Sequence, residues 1–307
     1  MGVEVWRGSV NTWECDGMGH MNVRFYAVRA LEGLVGLAAA MGMPRAFSPT
    51  AGATLLIREQ HIRFLREAVA GTVLTMRGWV AEMSESEARL VQVLYHPSGA
   101  PAARLQTVVS HVTPVEGRPF PWTESIRRDA EALMTPVPDF AAARSVDLAP
   151  VESRASLGAA DQLGLIHLTA GAVLARDCDV FGRMSAEQFI GRVSDGIPGL
   201  VERTRNTIVE AMDEKPRRVG GAVLEYRLVH LDWPRAGDRI AIRSGLVSAD
   251  QRTQRMIHWM LDPETGRPWG VSEAVAVTLD LDKRKIVPVP QAAQVALNAA
   301  AIQGLTL

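Results

Sequence analysis

The octapeptide Glu14-Cys15-Asp16-Gly17-Met18-Gly19-His20-Met21 returns as Asp177-Cys178-Asp179-Val180-Phe181-Gly182-Arg183-Met184, about 163 residues later. The same offset pairs Gly8 with Gly171, Val10 with Val173, Arg29 with Arg192, Gly33 with Gly196 and Leu37 with Leu200. Further on it drifts to about 166, pairing Glu59 with Glu225, Gly71 with Gly237 and Arg77 with Arg243. Self-similarity that runs in order through most of each half is the mark of a duplicated unit. A chain of 307 residues, at roughly 150 per domain, has room for two such units with a core each. The fold must therefore be one that can be built twice.

Both copies follow the same order of elements. A β-type run comes first (Val3 to Trp6, then Ser9 to Trp13), followed by the Asp-Gly turn. A helix then runs from about Asn22 to Met41, with Tyr26, Ala30, Leu34, Leu37, Ala38 and Met41 at helical spacing. Asn22 and Ser185 are N-cap residues, and Ser185 with Gln188 spells a capping box. Strand-like runs follow at Thr54 to Phe64, Val73 to Met83, Ala88 to Tyr95 and Arg104 to Val112. Copy 2 answers with Ala222 to Leu231, Arg239 to Ser248, Gln254 to Leu261 and Ser272 to Leu281. A long helix against an antiparallel meander is an α+β architecture. The expected domains are 1–118 and 155–290. Residues 119–154 form a Pro-rich linker with a short helix, Thr123 to Met134, and 291–307 a terminal helix and tail.

Charge narrows the function classes. Lys plus Arg total 33 against 34 Asp plus Glu, a formal charge of -1, which points away from a nucleic-acid partner. Two cysteines, Cys15 and Cys178, are too few for a disulfide framework. No apolar run approaches the ~20 residues of a membrane span, and the N-terminus, with Glu4 and Arg7, does not read as a signal peptide. A cytoplasmic protein is expected. The histidines show no zinc-ligand spacing with cysteines, so no metal site is assigned. No phosphate-binding loop, dinucleotide-binding glycine cluster or nucleophile-elbow serine is present.

Trp13 through Asn22, followed by a long helix carrying Tyr26, resembles the hot-dog-fold acyl-CoA thioesterases of the 4-hydroxybenzoyl-CoA type. Their signature is a carboxylate, two variable residues, Gly, His, a hydrophobic residue and Asn, with an aromatic residue a few positions into the helix. Here Asp16, Gly19, His20, Met21, Asn22 and Tyr26 fill those places. The full signature stands only in copy 1. The resemblance implies a tandem (double) hot-dog, each copy a long helix wrapped by a curved antiparallel sheet. Two fused domains would then replace the usual homodimer, their sheets joined as a pseudo-dimer. It also implies hydrolysis of an acyl-CoA or acyl-carrier thioester to free acid and thiol, with the matching Asp16 attacking the carbonyl or activating a water. No cofactor is implied beyond the CoA moiety of the substrate. The partner is that substrate, the chain acting as a monomeric pseudo-dimer or associating further.

The residues suit that chemistry. Thioester hydrolysis needs a nucleophile or base and something to stabilise the oxyanion. Asp16 in a turn entering a helix is expected near the first-turn N–H groups, whose orphan donors and dipole suit a carbonyl oxygen. Gly19 lets the backbone turn sharply and approach a ligand. Each residue also has a plain reading: Asp16 as a turn former, His20 as a surface histidine, Asn22 as an N-cap, and Tyr26 as packing. In copy 2, Arg183, Ser185 and Phe189 replace His20, Asn22 and Tyr26. Asp16, His20 and Asn22 are therefore the candidate catalytic residues, and copy 2 reads as a decayed site. Gly19, Met21, Tyr26, Glu59 and Arg183 are candidate substrate contacts. Glu59 and Glu225 are expected at strand starts, and Arg183 is suited to a CoA phosphate. Two other functions compete: a non-catalytic acyl-CoA or acyl-carrier binding module, and a hydratase or dehydratase hinted at by Asp161 and His167.

Overall fold

In the computed structural model, which describes residues 2–307, the chain forms two compact units. Unit 1 runs to Ala143 and adds Ala175–Gln188; unit 2 takes Arg144–Leu174 and Phe189–Leu307. Unit 1 contains β1 (Val3–Ser9), α1 (Val23–Ala40), β2 (Thr54–Phe64), β3 (Val73–Met83), β4 (Glu87–Tyr95), β5 (Pro101–Val112) and α2 (Glu124–Glu131). Its strands pair antiparallel in the order β1-β3-β4-β5-β2. Unit 2 contains α3 (Leu157–Gln162), β6 (Ile166–Ala172), most of α4 (Ala186–Glu210), β7 (Val219–His230), β8 (Arg239–Ala249), β9 (Thr253–Leu261), β10 (Pro268–Asp280), β11 (Lys285–Ile286) and α5 (Gln291–Ala299). Its order, β6-β8-β9-β10-β7 with β11 on β10, repeats that of unit 1. The α+β class holds in both.

The repeat extends to the irregularities. The registers step at Val5, Arg58, Ala81 and Ala102 in unit 1, and at Leu168, Leu224, Val247 and Trp269 in unit 2. These are the same four places once the sequence offset is applied. Bulges bend a strand and re-aim its side chains, so each copy carries the same four bends.

Helix α1 lies directly on its sheet, burying Tyr26, Ala27, Ala30, Leu34, Leu37 and Ala38. Gly33 and Gly36 make that approach possible: a Cβ at Gly36 would sit 2.6 Å from the Val5 carbonyl oxygen, and one at Gly33 2.5 Å from Met76 Sδ. Buried Gln92 then reaches across from β4 to donate to the Ala30 carbonyl at 2.8 Å. Helix α2, which the sequence places in the linker, packs inside unit 1 through Ile126 and Ala130. The segment after it pairs with β3, Val80 N donating to Leu133 O at 3.2 Å. In unit 2 the segment after α5 meets the equivalent position, Ile302 N donating to Leu246 O at 2.9 Å.

Three local expectations are corrected. The run Ser9 to Trp13 is not strand: β1 ends at Ser9 and Thr12–Glu14 forms a 3-10 turn, because the Glu14 side chain folds back onto Asn11 N. Ser185 does not complete a capping box, since its N–H donates to Asp177 O and the Gln188 amide turns to Glu187. Glu59 and Glu225 are not at strand starts but in the middle of β2 and β7, beside the bulges at Arg58 and Leu224. Among the described residues, no helix is long and apolar enough to cross a membrane.

Candidate active site

The Asp16 turn is a closed loop between β1 and α1. Asp16 N donates to His20 O at 3.0 Å, Gly19 N donates to Asp16 O at 2.9 Å, and Cys15 pairs with Met21 as a β-bridge. Gly19 adopts φ +83°, the left-handed region that an L-residue enters only at a cost. A Cβ there would meet nothing within 4 Å, so conformation and not space calls for glycine. Beyond the turn Asn22 caps α1, its side chain accepting from Arg24 N at 2.9 Å.

The carboxylate of Asp16 is held from inside the turn. Its Oδ1 accepts from Met18 N at 2.8 Å, and its Oδ2 lies 3.4 Å from His20 Nδ1. Arg24 N, at the start of α1, is taken by Asn22, and the Asp16 carboxylate accepts within its own turn. His20 Nε2 is buried and without a hydrogen-bond partner among the described residues. A buried ring nitrogen in that state costs free energy until something fills it.

Met21 is buried in the core cluster that also holds Val10, Tyr26 and Ala68, and its N–H donates to Ala68 O at 2.7 Å. Tyr26 meets Phe64 edge-on at 5.1 Å and bonds the Ala68 backbone; burial pushes its phenol up to about 12. Tyr26 is thus tied into the wall behind the turn. Glu59 lies on β2, and its counterpart Glu225 accepts from Arg144 N and Ser145 N at 2.9 and 2.8 Å.

The copy-2 turn belongs to unit 1 as well. It repeats the backbone pattern, with Asp179 N to Arg183 O at 2.7 Å, Gly182 N to Asp179 O at 3.0 Å and Gly182 at φ +79°. Its side chains differ. Asp179 Oδ1 accepts from Phe181 N and Arg183 N, and its Oδ2 lies 3.2 Å from Arg183 Nε. Arg183 is buried, its guanidinium 5.1 Å from the Phe181 ring centre.

Sequence reasoning passed over two further residues. Glu14 is buried and ion-paired with Arg29 two turns into α1. Glu187 opens α4 with Oε2 buried and unpartnered among the described residues; burial raises its carboxyl, against the pull of Arg24. The signal for Glu14 and Arg29 was their recurrence as Asp177 and Arg192.

Comparisons with known proteins bear on the family and the fold. A family model described as the thioesterase-like superfamily matches residues 10–129 and 173–297. No curated protein matches the sequence. Among solved structures, a putative oleoyl thioesterase from Lactobacillus plantarum superposes with TM-score 0.67 at 9% identity, covering 90% of this chain and 96% of that one. The 12:0-ACP thioesterase from Umbellularia californica gives 0.65 at 10% identity, covering 88% and 92%. An acyl-ACP thioesterase from Bacteroides thetaiotaomicron gives 0.62 at 11%, covering 88% and 96%. At such identities the likeness is one of fold: a double hot-dog.

Proposed function

Because the chain belongs to the thioesterase-like superfamily, we propose that it hydrolyses an acyl thioester, of CoA or of an acyl-carrier protein, at the Asp16 turn. The observation that carries this reading is the Asp16–His20 pair, with Oδ2 and Nδ1 3.4 Å apart and the far ring nitrogen unfilled. Asp16 acts on the thioester carbonyl in one of two ways. As general base it takes a proton from water, whose oxygen adds to the carbonyl carbon as the C–S bond breaks and the thiolate leaves. As nucleophile it forms an acyl-aspartyl anhydride that water then opens. His20 orients the carboxylate through Nδ1, and Nε2 is suited to hold the water or a substrate oxygen. Asn22 holds the start of α1 so that its amides polarise the carbonyl. Gly19 and Met21 shape the turn around the substrate, with Tyr26 behind them; Glu59 and Arg183 are outer contacts. No cofactor enters the reaction beyond the CoA of the substrate.

The solved structures of similar fold are a putative oleoyl thioesterase and two ACP thioesterases, which makes a carrier-bound acyl chain as good a candidate substrate as acyl-CoA. A thiol-release screen over acyl-CoAs and acyl-carrier proteins of varied chain length tests the proposal. Release from at least one thioester, lost in Asp16→Ala, is the expected result. Tight binding of thioesters without release would make the protein a binding module instead.

A further inference from the structure

We propose that Trp13 and Val69 form an apolar grip for the pantetheine arm of the leaving thiol, the part that CoA and acyl-carrier thioesters share; this rests on the thioester-hydrolysis reading above. Trp13 lies three residues before Asp16 and is 74% exposed, although tryptophan is on average a highly buried residue. Val69 and Val73 are exposed as well. Hydrogen bonds bring the three to one rim. The loop that carries Val69 is tied to both flanks of the Asp16 turn: Gly71 N donates to Val10 O at 2.8 Å before it, and Met21 N donates to Ala68 O at 2.7 Å after it. Val73 pairs in register with Ser9 at the end of β1.

The indole is displayed on a fixed support. It stands in the middle of the 3-10 turn Thr12–Glu14, where Glu14 N donates to Asn11 O at 3.1 Å and Cys15 N to Thr12 O at 3.2 Å. Gly17 and Gly19 of the Asp16 turn are exposed, so a thioester reaches the carboxylate from solvent and past Trp13. Three residues span at most about 11 Å, and the arm, roughly ten bonds from its sulfur to its dimethyl carbon, extends about 12 Å. That arm carries no charge before its phosphate and ends in two methyl groups, which suits an apolar rim. The repeat does not itself call for apolar side chains here. The same three positions hold Arg176, Arg235 and Arg239 in copy 2, with Arg239 opposite Ala172 as Val73 is opposite Ser9. The apolar rim stands beside the turn that keeps His20 and Asn22.

The test uses the full-length protein with Trp13→Ala, and the double variant Trp13→Arg/Val69→Arg, which installs the copy-2 residues; thermal melting checks that both fold. One acyl group is offered on N-acetylcysteamine, which lacks the far arm, on pantetheine, on CoA and on an acyl-carrier protein. The readout is kcat/KM on each of the last three relative to that on N-acetylcysteamine. The expected result is a ratio lower by about tenfold on all three, the worth of covering part of one large apolar side chain. Ratios that stay at wild-type values would overturn the proposal. So would a fall confined to CoA, which would assign the indole to the nucleotide, or one confined to the carrier, which would assign it to that protein's surface. If the wild type releases thiol from nothing in the panel, the function reading fails. The rim is then judged by acrylamide quenching of Trp13 fluorescence, taken as the difference between wild type and Trp13→Ala, and an absence of shielding by pantetheine sinks it.

Discussion

Asp179 Oδ2 lies 3.2 Å from Arg183 Nε, while the equivalent Oδ2 of Asp16 faces a histidine nitrogen at 3.4 Å. A fixed guanidinium beside a carboxylate satisfies its charge permanently; an imidazole can exchange a proton with it. Asp16→Ala should therefore lower hydrolysis by about 10² or more, the lower range for a general acid–base residue. Asp179→Ala should leave turnover nearly unchanged but remove the charge beside the buried Arg183, so its loss should appear in melting. The measurement is the ratio of the two turnover losses at equal folded fraction. A ratio near one would assign the repeated aspartate to the turn alone.

The glycines divide by cause. Gly19→Ala forces an L-residue to φ +83° and should cost about 1–2 kcal/mol, with lower turnover because the turn carries Asp16. Gly182→Ala, at φ +79°, should cost a similar amount without touching turnover. Gly36→Ala drives a Cβ to 2.6 Å from backbone, where no side chain can yield, and should cost about 1–3 kcal/mol or more by overpacking. Urea melts rank the three; a Gly36→Ala protein as stable as wild type would mean α1 can lift from its sheet.

How much of this was legible depends on where the partner lies. Strands β2 and β3 begin and end where the sequence places them, at Thr54–Phe64 and Val73–Met83, because their apolar residues and flanking turns are local signals. The Asp16 turn and the Asn22 cap were local too. Glu14 was not, for its burial depends on Arg29, fifteen residues on and across the turn. Glu225 was misplaced for the same reason: its carboxylate is buried under the backbone of Arg144 and Ser145, about 80 residues earlier in the chain. Helix α2 read as linker because prolines surround it, yet Ile126 and Ala130 find their core only once β3 is in place.

His258 should make the protein acid-sensitive. Its Nδ1 is 2.8 Å from Ser244 Oγ, its Nε2 is buried without a partner among the described residues, and burial lowers its value from 6.5 to about 4. Between those values the unfolded chain binds the proton and the folded chain does not. Stability is thus full above pH 6.5 and falls as the pH drops toward 4. At about 1.4 kcal/mol per unit the loss is about 3 kcal/mol. Burial lowers His111 as well, adding a loss of the same sign. His258→Gln, which installs the residue found at Gln92 in copy 1, should flatten the slope. Urea melts at pH 7 and pH 4.5 check this, and an unaltered slope in the variant would place the acid sensitivity elsewhere.

Tyr26 distinguishes packing from chemistry. A phenol raised to about 12 stays protonated at neutral pH, so it cannot serve as a base. Its oxygen accepts from the Ala68 backbone, whose carbonyl receives Met21 N–H at 2.7 Å. Tyr26→Phe keeps the edge contact with Phe64, as Phe189 keeps its own with His230 at 4.5 Å in copy 2. It removes one buried hydrogen bond and should cost about 1 kcal/mol of stability. Because Ala68 O retains Met21 N–H, the wall behind the turn should hold and turnover should be unchanged. Steady-state kinetics and melting on the one variant decide the matter. A kcat loss without a melting shift would move Tyr26 from the wall into the reaction.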